Sequence, residues 1–427
     1  MLVVRARWLL PIAERPLLNG WVAVDRGRVV AAGRAGATLP LAGDAPLVDL
    51  GPFAVLPALV NAHTHLELSW LRGLVAPAPR FTEWVPAMLQ RRMHAPEAGE
   101  VLAAIERAID EVRAGGTGVV ADISNSLATV APLRRSTLDG VVVHELLGFP
   151  AAGADDTLDA ALRAQAACGP SERFPVSLAA HAPYSVSPRL FQGIRAAQAR
   201  TPFLPSSVHL AESEEEGELL RSGGGPWREL LRRLNAWDDT WVAPESTPVE
   251  YLDRMGVLDS RLLAAHAVHC TDDDLRRLRE RGVTVVTCPR SNAFVGAGDP
   301  PVARFFASGV RVAVGTDSLA SNVDLNLFAE LARMRQLAPD VPAAALLDSA
   351  TRAGADALGL SDRHGTIEPG RSAALVAVAL PPDVIDVEEY LVGGITPDRV
   401  RWVSDLVAEC GLLYAPAFAR GASSGPP

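Results

Sequence analysis

Lysine is absent from the 427 residues, so all 40 basic side chains are arginine. That excludes a Schiff-base lysine, a phosphate-loop lysine and a carboxylated lysine bridging two metal ions. Cysteine is scarce: Cys168, Cys270, Cys288 and Cys410 are too few and too scattered for a disulfide framework, and no two form a C-x-x-C pair. They read as reduced thiols in or near the core. No apolar run approaches the ~20 residues that span a bilayer, and Met1 to Ala13 is broken by Arg5, Arg7 and Pro11 rather than closing on a small-residue cleavage site. A cytoplasmic protein with no membrane partner is expected. Net basic charge is lacking too: a formal charge of −10 and a pI near 5.5 argue against nucleic acid as a partner, because a phosphate backbone needs a clustered cationic surface.

What is present is globular. Hydrophobic residues make up 48% of the chain and charged ones 21%, far from the signature of disorder and ample for a large core. An allowance of about 150 residues per domain would suggest three domains, but α/β barrels use about 250 as one, so one barrel plus one small domain fits. Short β segments are expected at Leu2 to Val4, Trp21 to Val24, Val29 to Ala32 and Leu47 to Leu50, with Asp25-Arg26-Gly27-Arg28 as a hairpin-like turn. Similar segments recur at Ala373 to Leu380, Val400 to Val403 and Gly411 to Tyr414, and the tail from Gly421 to Pro427 is expected to fray. Residues 1–57 and 361–427 would then pack as one composite small β domain.

Residues 58–360 read differently, as β-branched apolar runs alternating with helical patterns, which is the signature of βα units around a parallel sheet. Eight runs can be placed: Ala54 to Ala62, Gly118 to Ile123, Val141 to Leu147, Val176 to Ala180, Ser207 to Leu210, Leu262 to His266, Val283 to Thr287 and Val310 to Gly315. Between them lie helices such as Glu100 to Arg113 and Asp272 to Arg281, the latter with Thr271 as N-cap. Eight units close into a (β/α)₈ TIM-like barrel. The competing parse, a doubly wound open sheet, carries a Gly-rich dinucleotide loop after its first strand, whereas the first strong βα junction here is His63-Thr64-His65.

His63, His65, Glu145, His181, His209, His266 and Asp317 fall at or just past strand ends, where barrel enzymes place their active sites. Two residues apart on a strand, His63 and His65 face one side and can converge on one ion; alone, such a pair could equally be surface histidines. His209 follows the fifth strand and Asp317 the eighth, completing an N/O set suited to one divalent ion, Zn²⁺ or Fe²⁺, with room for water. The competing readings are a buried histidine on a backbone carbonyl for His209 and a helix N-cap for Asp317. Glu212 opens an acidic run with Glu214, Glu215 and Glu216; the last three read as a solvated helix start, while Glu212, three residues from His209, is the candidate general acid/base. His266 is expected to polarise the attacking water and His269 to be a loop or core histidine. His181 either faces a substrate heteroatom or orients a neighbour, and His94, His144 and His364 are read as structural.

Six segments carry a resemblance: Leu56-Pro57-Ala58-Leu59-Val60-Asn61-Ala62-His63-Thr64-His65, His181-Ala182-Pro183-Tyr184, His209-Leu210-Ala211-Glu212, Ala265-His266, Cys288-Pro289-Arg290-Ser291-Asn292 and Gly315-Thr316-Asp317-Ser318-Leu319-Ala320-Ser321-Asn322. In that order the chain resembles the amidohydrolase superfamily, in the mononuclear branch of nucleoside-type deaminases and triazine hydrolases. The resemblance covers nearly the whole chain and implies that His63, His65, His209 and Asp317 hold one metal, that Glu212 shuttles protons, that His266 assists the water and that His181 touches the substrate ring. Within the branch, His65-Leu66-Glu67-Leu68-Ser69 with Trp84, and His144-Glu145-Leu146-Leu147-Gly148-Phe149, look similar to aminodeoxyfutalosine deaminases. Ala58 and Ala374 depart from the pattern, standing where glycine and aspartate are usual. The implied reaction is hydrolytic deamination of a purine nucleoside-like heterocycle. Chloride release or cyclic-amide opening on the same site, and a barrel that binds a small molecule without turning it over, are the alternatives. A homo-oligomer is compatible with the sequence and not specified by it.

Overall fold

The computed structural model describes residues 1–37, 45–412 and 414. Eight parallel strands run through its middle: β1 (Leu59–Thr64), β2 (Thr117–Ser124), β3 (Asp139–Leu146), β4 (Val176–Ala180), β5 (Ser206–Leu210), β6 (Leu262–His266), β7 (Thr284–Thr287) and β8 (Arg311–Val314). Apart from Arg311, every residue of these strands is buried on both faces, so their apolar residues run together rather than alternating with exposed polar ones. Helices such as Ala98–Ala114, Ala154–Cys168, Pro188–Gln198 and Asp272–Glu280 connect successive strands. Thr271 caps the last of these as expected, in a reciprocal arrangement: its hydroxyl accepts the Asp274 N–H, and Asp274 accepts the Thr271 N–H.

Hydrogen bonding groups the strands as two ladders, β4-β3-β2-β1 and β5-β6-β7-β8. The ladders meet at two seams. At one, the His209 N–H donates to the His181 carbonyl at 2.8 Å. At the other, the Asp317 N–H donates to the His63 carbonyl at 3.1 Å, Thr64 Oγ1 donates to the Asp317 carbonyl at 3.0 Å, and Asn61 Nδ2 donates to Thr316 Oγ1 at 2.8 Å. The result is the (β/α)₈ barrel. Gly315 permits the second seam, because a Cβ there would lie 2.6 Å from the His63 carbonyl oxygen.

The remaining strands form two sheets. One has the order Arg28–Gly33, Trp21–Asp25, Leu2–Arg5, Leu47–Asp49, with the expected hairpin at Arg26 and Gly27, both at positive φ. The other has the order Val400–Trp402, Leu375–Ala379, Phe53–Pro57, Trp8–Leu9, Leu17–Leu18, so segments from the two ends of the chain share a sheet, Val376 opposite Leu56. The first apolar run therefore splits. Phe53–Pro57 belongs to this sheet and β1 to the barrel; the chain changes partners at Ala58, whose N–H donates to Ala374, whereas that of Leu59 donates to Gly116. The short strands Trp8–Leu9 and Leu17–Leu18 were not expected. Gly411, Leu412 and Tyr414 are not in a strand, a helix Val403–Glu409 having taken up the preceding chain; Leu413 and the tail 421–427 lie outside the described residues. Cys270 and Cys288 are buried and Cys168 half-buried, but Cys410 is exposed rather than near the core, and all four are free thiols. Among the described residues no helix is long and apolar enough to cross a membrane.

Candidate active site

The C-terminal ends of the barrel strands gather the expected histidines and carboxylates. His63 lies one residue before the end of β1 with its side chain fully buried, and both its ring nitrogens lack a hydrogen-bond partner. Buried polar atoms are rarely left so, which marks them as facing a group they are built to bind. Its ring centroid lies 5.0 Å from both His65 and His209, and His65 Nε2 lies 3.4 Å from His209 Nε2. One ligand nitrogen from each of the three falls within 4.8 Å of the others. Asp317 brings Oδ1 to 3.9 Å from His63 Nε2 and 3.7 Å from His65 Nε2. Its Oδ2 is occupied by the Ser291 hydroxyl at 2.5 Å and the Ser321 hydroxyl at 2.9 Å, which turns Oδ1 toward the imidazoles. Three convergent nitrogens and one aimed carboxylate oxygen match the donor set of a divalent ion.

The electrostatics follow from burial and neighbours. Burial, reinforced by His209 and His65, holds His63 well below the usual imidazole range, and burial lowers His65 and brings His266 down to about 4. His209 behaves oppositely. Burial disfavours its charge, but Glu145, Glu212 and Asp317 outweigh that and push it up to about 9. Its Nδ1 lies 3.2 Å from Glu145 Oε1 and 3.1 Å from the His181 carbonyl, so Nδ1 carries a proton in either ionisation state and Nε2, facing His65, is the nitrogen that gains or loses one. Glu145, whose other oxygen accepts Asn125 Nδ2 at 2.9 Å, stays well below the usual carboxylate range: burial opposes ionisation, but His181 and His209 override it. Asp317 is likewise held low, His65, His266 and His63 overcoming its burial.

Glu212 is buried beyond the end of β5. Its Oε1 lies 3.6 Å from His266 Nε2, its Oε2 has no partner, and burial pushes the carboxyl up to about 8. A carboxyl poised near neutrality can both take and give a proton. His266 has Nδ1 3.3 Å from Asn292 Oδ1, an acceptor, which fixes the proton on Nδ1. His181 shares a hydrogen bond of 2.6 Å between Nδ1 and Ser185 Oγ, sits 4.8 Å from the His209 ring, and is lowered to about 3 by burial. From it an aromatic wall continues: Tyr184 packs edge-on against His181, Trp227 stacks on Tyr184 at 3.9 Å, and Phe81 links Trp227 to Trp84.

The structure thus brings together all seven expected residues, His63, His65, His181, His209, Glu212, His266 and Asp317. His269 is elsewhere, its Nε2 on the Ala297 carbonyl at 2.8 Å, and His364 pairs with Asp139 near the start of β3. Sequence reasoning left Glu145 without a role and passed over Ser291, Ser321 and Asn292, which lie inside the motifs quoted for the resemblance. One reading is overturned: Glu216 is not solvated like Glu214 but fully buried, with burial pushing it up to about 8, because it lies on the inward face of the helix Glu214–Ser222 beside Gly217, Leu219 and Leu220. Backbone strain concentrates here too, with Ala211, His266, Ala267 and Asp317 all at positive φ.

An eight-stranded barrel with a buried histidine and carboxylate cluster at the C-terminal rim defines the barrel hydrolases as a class. The chain belongs to the amidohydrolase family, whose model matches residues 54–403. It is 34% identical over 314 residues to the aminodeoxyfutalosine deaminase of Deinococcus radiodurans, covering 71% of this chain and 73% of that one. It is 31% identical over 410 residues to the 5-methylthioadenosine/S-adenosylhomocysteine deaminase of Moorella thermoacetica, covering 90% and 88%. Among solved structures, an adenosine deaminase from Xanthomonas campestris with bound zinc superposes with a TM-score of 0.79 at 28% identity, over 93% of this chain and 90% of that one.

Proposed function

We propose that this chain is a zinc-dependent hydrolytic deaminase of a nucleoside-like aminated heterocycle, with residues 58–360 as the hydrolase barrel and residues 1–57 and 361–427 as a composite β unit beside it. The observation that carries the reading is the fully buried His63 ring, without a hydrogen-bond partner, facing His65, His209 and Asp317, with Glu212 3.6 Å from His266, whose ring lies 5.5 Å from that of His63. His63, His65, His209 and Asp317 would hold the ion. Bound there, a divalent ion supplies Lewis acidity that activates water at neutral pH.

The chain's own groups account for the rest. His266, neutral with its proton on Nδ1, presents Nε2 toward the water and orients it. Glu212 accepts a water proton on its carboxylate and delivers it to the ring nitrogen next to the aminated carbon. That carbon gains oxygen and loses its amine as ammonia, so C–NH₂ and H₂O become C=O and NH₃. His181 faces a ring heteroatom, and the wall of Tyr184, Trp227, Phe81 and Trp84 shields the ring from bulk water. The two relatives named as deaminases of aminodeoxyfutalosine and of 5-methylthioadenosine/S-adenosylhomocysteine support a nucleoside substrate, and the segments around Glu67 and Glu145 favour aminodeoxyfutalosine.

The test is ammonia release from aminodeoxyfutalosine, 5-methylthioadenosine, S-adenosylhomocysteine and adenosine, with zinc measured on the same sample. One zinc per chain and turnover of at least one nucleoside are expected, and Glu212→Gln should lower kcat by about 10² to 10⁴ while zinc is retained. Absence of ammonia across the panel, or a Glu212→Gln enzyme with undiminished turnover, contradicts the proposal.

A further inference from the structure

The three acidic residues that open the helix Glu214–Ser222 occupy three environments. Glu214 is exposed and Glu215 half-buried near Thr82, whereas Glu216 is fully buried and makes no ion pair among the described residues. Its two oxygens are committed to backbone. Oε1 accepts the Ala211 N–H at 3.1 Å and Oε2 accepts the Glu212 N–H at 3.0 Å. Consecutive N–H groups converge on one acceptor group where the chain turns between them, as in a nest with one left-handed residue. Ala211 supplies that turn with φ of 50°, a conformation that an L-residue with a Cβ resists. Without it the chain would leave β5 in another direction, and the Glu212 side chain would not meet His266, from which it stands 3.6 Å away.

Glu216 is itself braced from behind. The Ser213 hydroxyl accepts the Glu216 N–H at 3.2 Å and the Trp227 indole N–H at 3.2 Å, and Trp227 stacks on Tyr184. The clamp therefore sits between the aromatic wall and the proton-carrying carboxyl.

We propose that Glu216 is a positioning residue: its carboxyl group clamps the left-handed turn at Ala211 and thereby sets the direction in which Glu212 points. This rests on the reading of Glu212 as the proton carrier. Glutamine at 216 keeps one acceptor oxygen but turns an amide donor toward the second N–H, so the turn loses half of its clamp while side-chain volume is kept. Displacing a reacting group by about an ångström costs about 10²-fold in rate. Glu216→Gln is therefore expected to lower kcat per bound zinc by roughly 10- to 100-fold, with KM within about threefold and one zinc per chain retained. An unchanged kcat refutes the proposal, and so does a variant in which kcat, KM and zinc content deteriorate in step, since that pattern belongs to general structural damage. Should Glu216→Gln not fold, Glu216→Asp decides on the same criteria, because its carboxylate is one methylene shorter and cannot span both N–H groups. Glu212→Gln run in parallel separates the two failures. If Glu212→Gln is fully active, the proton-carrier reading has fallen; if it is impaired and the Glu216 variants are not, only the clamp has.

Discussion

Replacing Glu145 by glutamine removes one charge from behind His209 without changing shape. In the native site Glu145 Oε1 stands 3.2 Å from His209 Nδ1 and Oε2 accepts Asn125 Nδ2 at 2.9 Å, both oxygens being used. Glutamine can serve one of these donors. If its oxygen stays with His209, its amide opposes the Asn125 amide, and a buried unpaired donor costs about 1–3 kcal/mol. If it turns over, its amide donor faces a protonated Nδ1 that only the His181 carbonyl can then accept, and the imidazole loses the acceptor that orients Nε2 toward His65. Groups that orient ligating imidazoles are worth about 10- to 100-fold in metal affinity, which is about 1.4–2.7 kcal/mol. Glu145→Gln should accordingly bind zinc about 10- to 100-fold more weakly, with KM for the nucleoside little changed once zinc is saturating. Competition against a chromophoric chelator measures the first quantity and zinc-saturated kinetics the second. Zinc affinity within twofold of wild type would refute the reasoning and detach Glu145 from the ion.

The protonation of His209 gives metal uptake a definite pH dependence: pushed up to about 9, its imidazole carries a proton at neutrality that an incoming ion must displace, so apparent zinc affinity should rise about tenfold per pH unit and level off near 9. Calorimetry in buffers of different ionisation enthalpy counts that proton, and none released at pH 7 would count against the pairing. Asp122, pushed by burial from 3.8 to about 8, keeps in the folded state a proton that the unfolded chain gives up, so its contribution to stability is whole below pH 3.8 and lost as pH rises through about 8. Asp122→Asn should therefore gain in denaturation midpoint relative to wild type as pH is raised across that window, and parallel curves would contradict it. Gly315→Ala would drive a methyl group into the His63 backbone, costing about 1–3 kcal/mol and disturbing the seam, so lower thermal stability and reduced zinc content are expected together. Native values of both would show that β8 yields easily.

The barrel and its polar rim were legible because two signals coincide: buried parallel strands are rich in β-branched apolar residues, and the residues at or just past each run must be polar if they serve a site. The break at Ala58 was not legible, since the residues on either side of it, Ala54 to Leu56 and Leu59 to Val60, are alike apolar and buried. Glu216 was misread for a related reason. Acidic residues at a helix start are ordinarily solvated, and only the inward positions of Leu219 and Leu220, together with its spacing of four from Glu212, set it apart. Ser291, Ser321 and Asn292 act by direction rather than by charge, each sharing a hydrogen bond with Asp317 or His266, and such roles leave no trace in composition.

The two seams of the barrel have a mechanical consequence. His63 and His65 stand on one ladder, whereas His209 and Asp317 stand at opposite edges of the other. If an ion is held by all four, it would act as a rivet through both halves, joining the first barrel strand to the last across a join that the backbone itself stitches sparsely. Stripping the ion would then loosen the whole cylinder along that line, and the catalytic atom would double as the fastening of the fold.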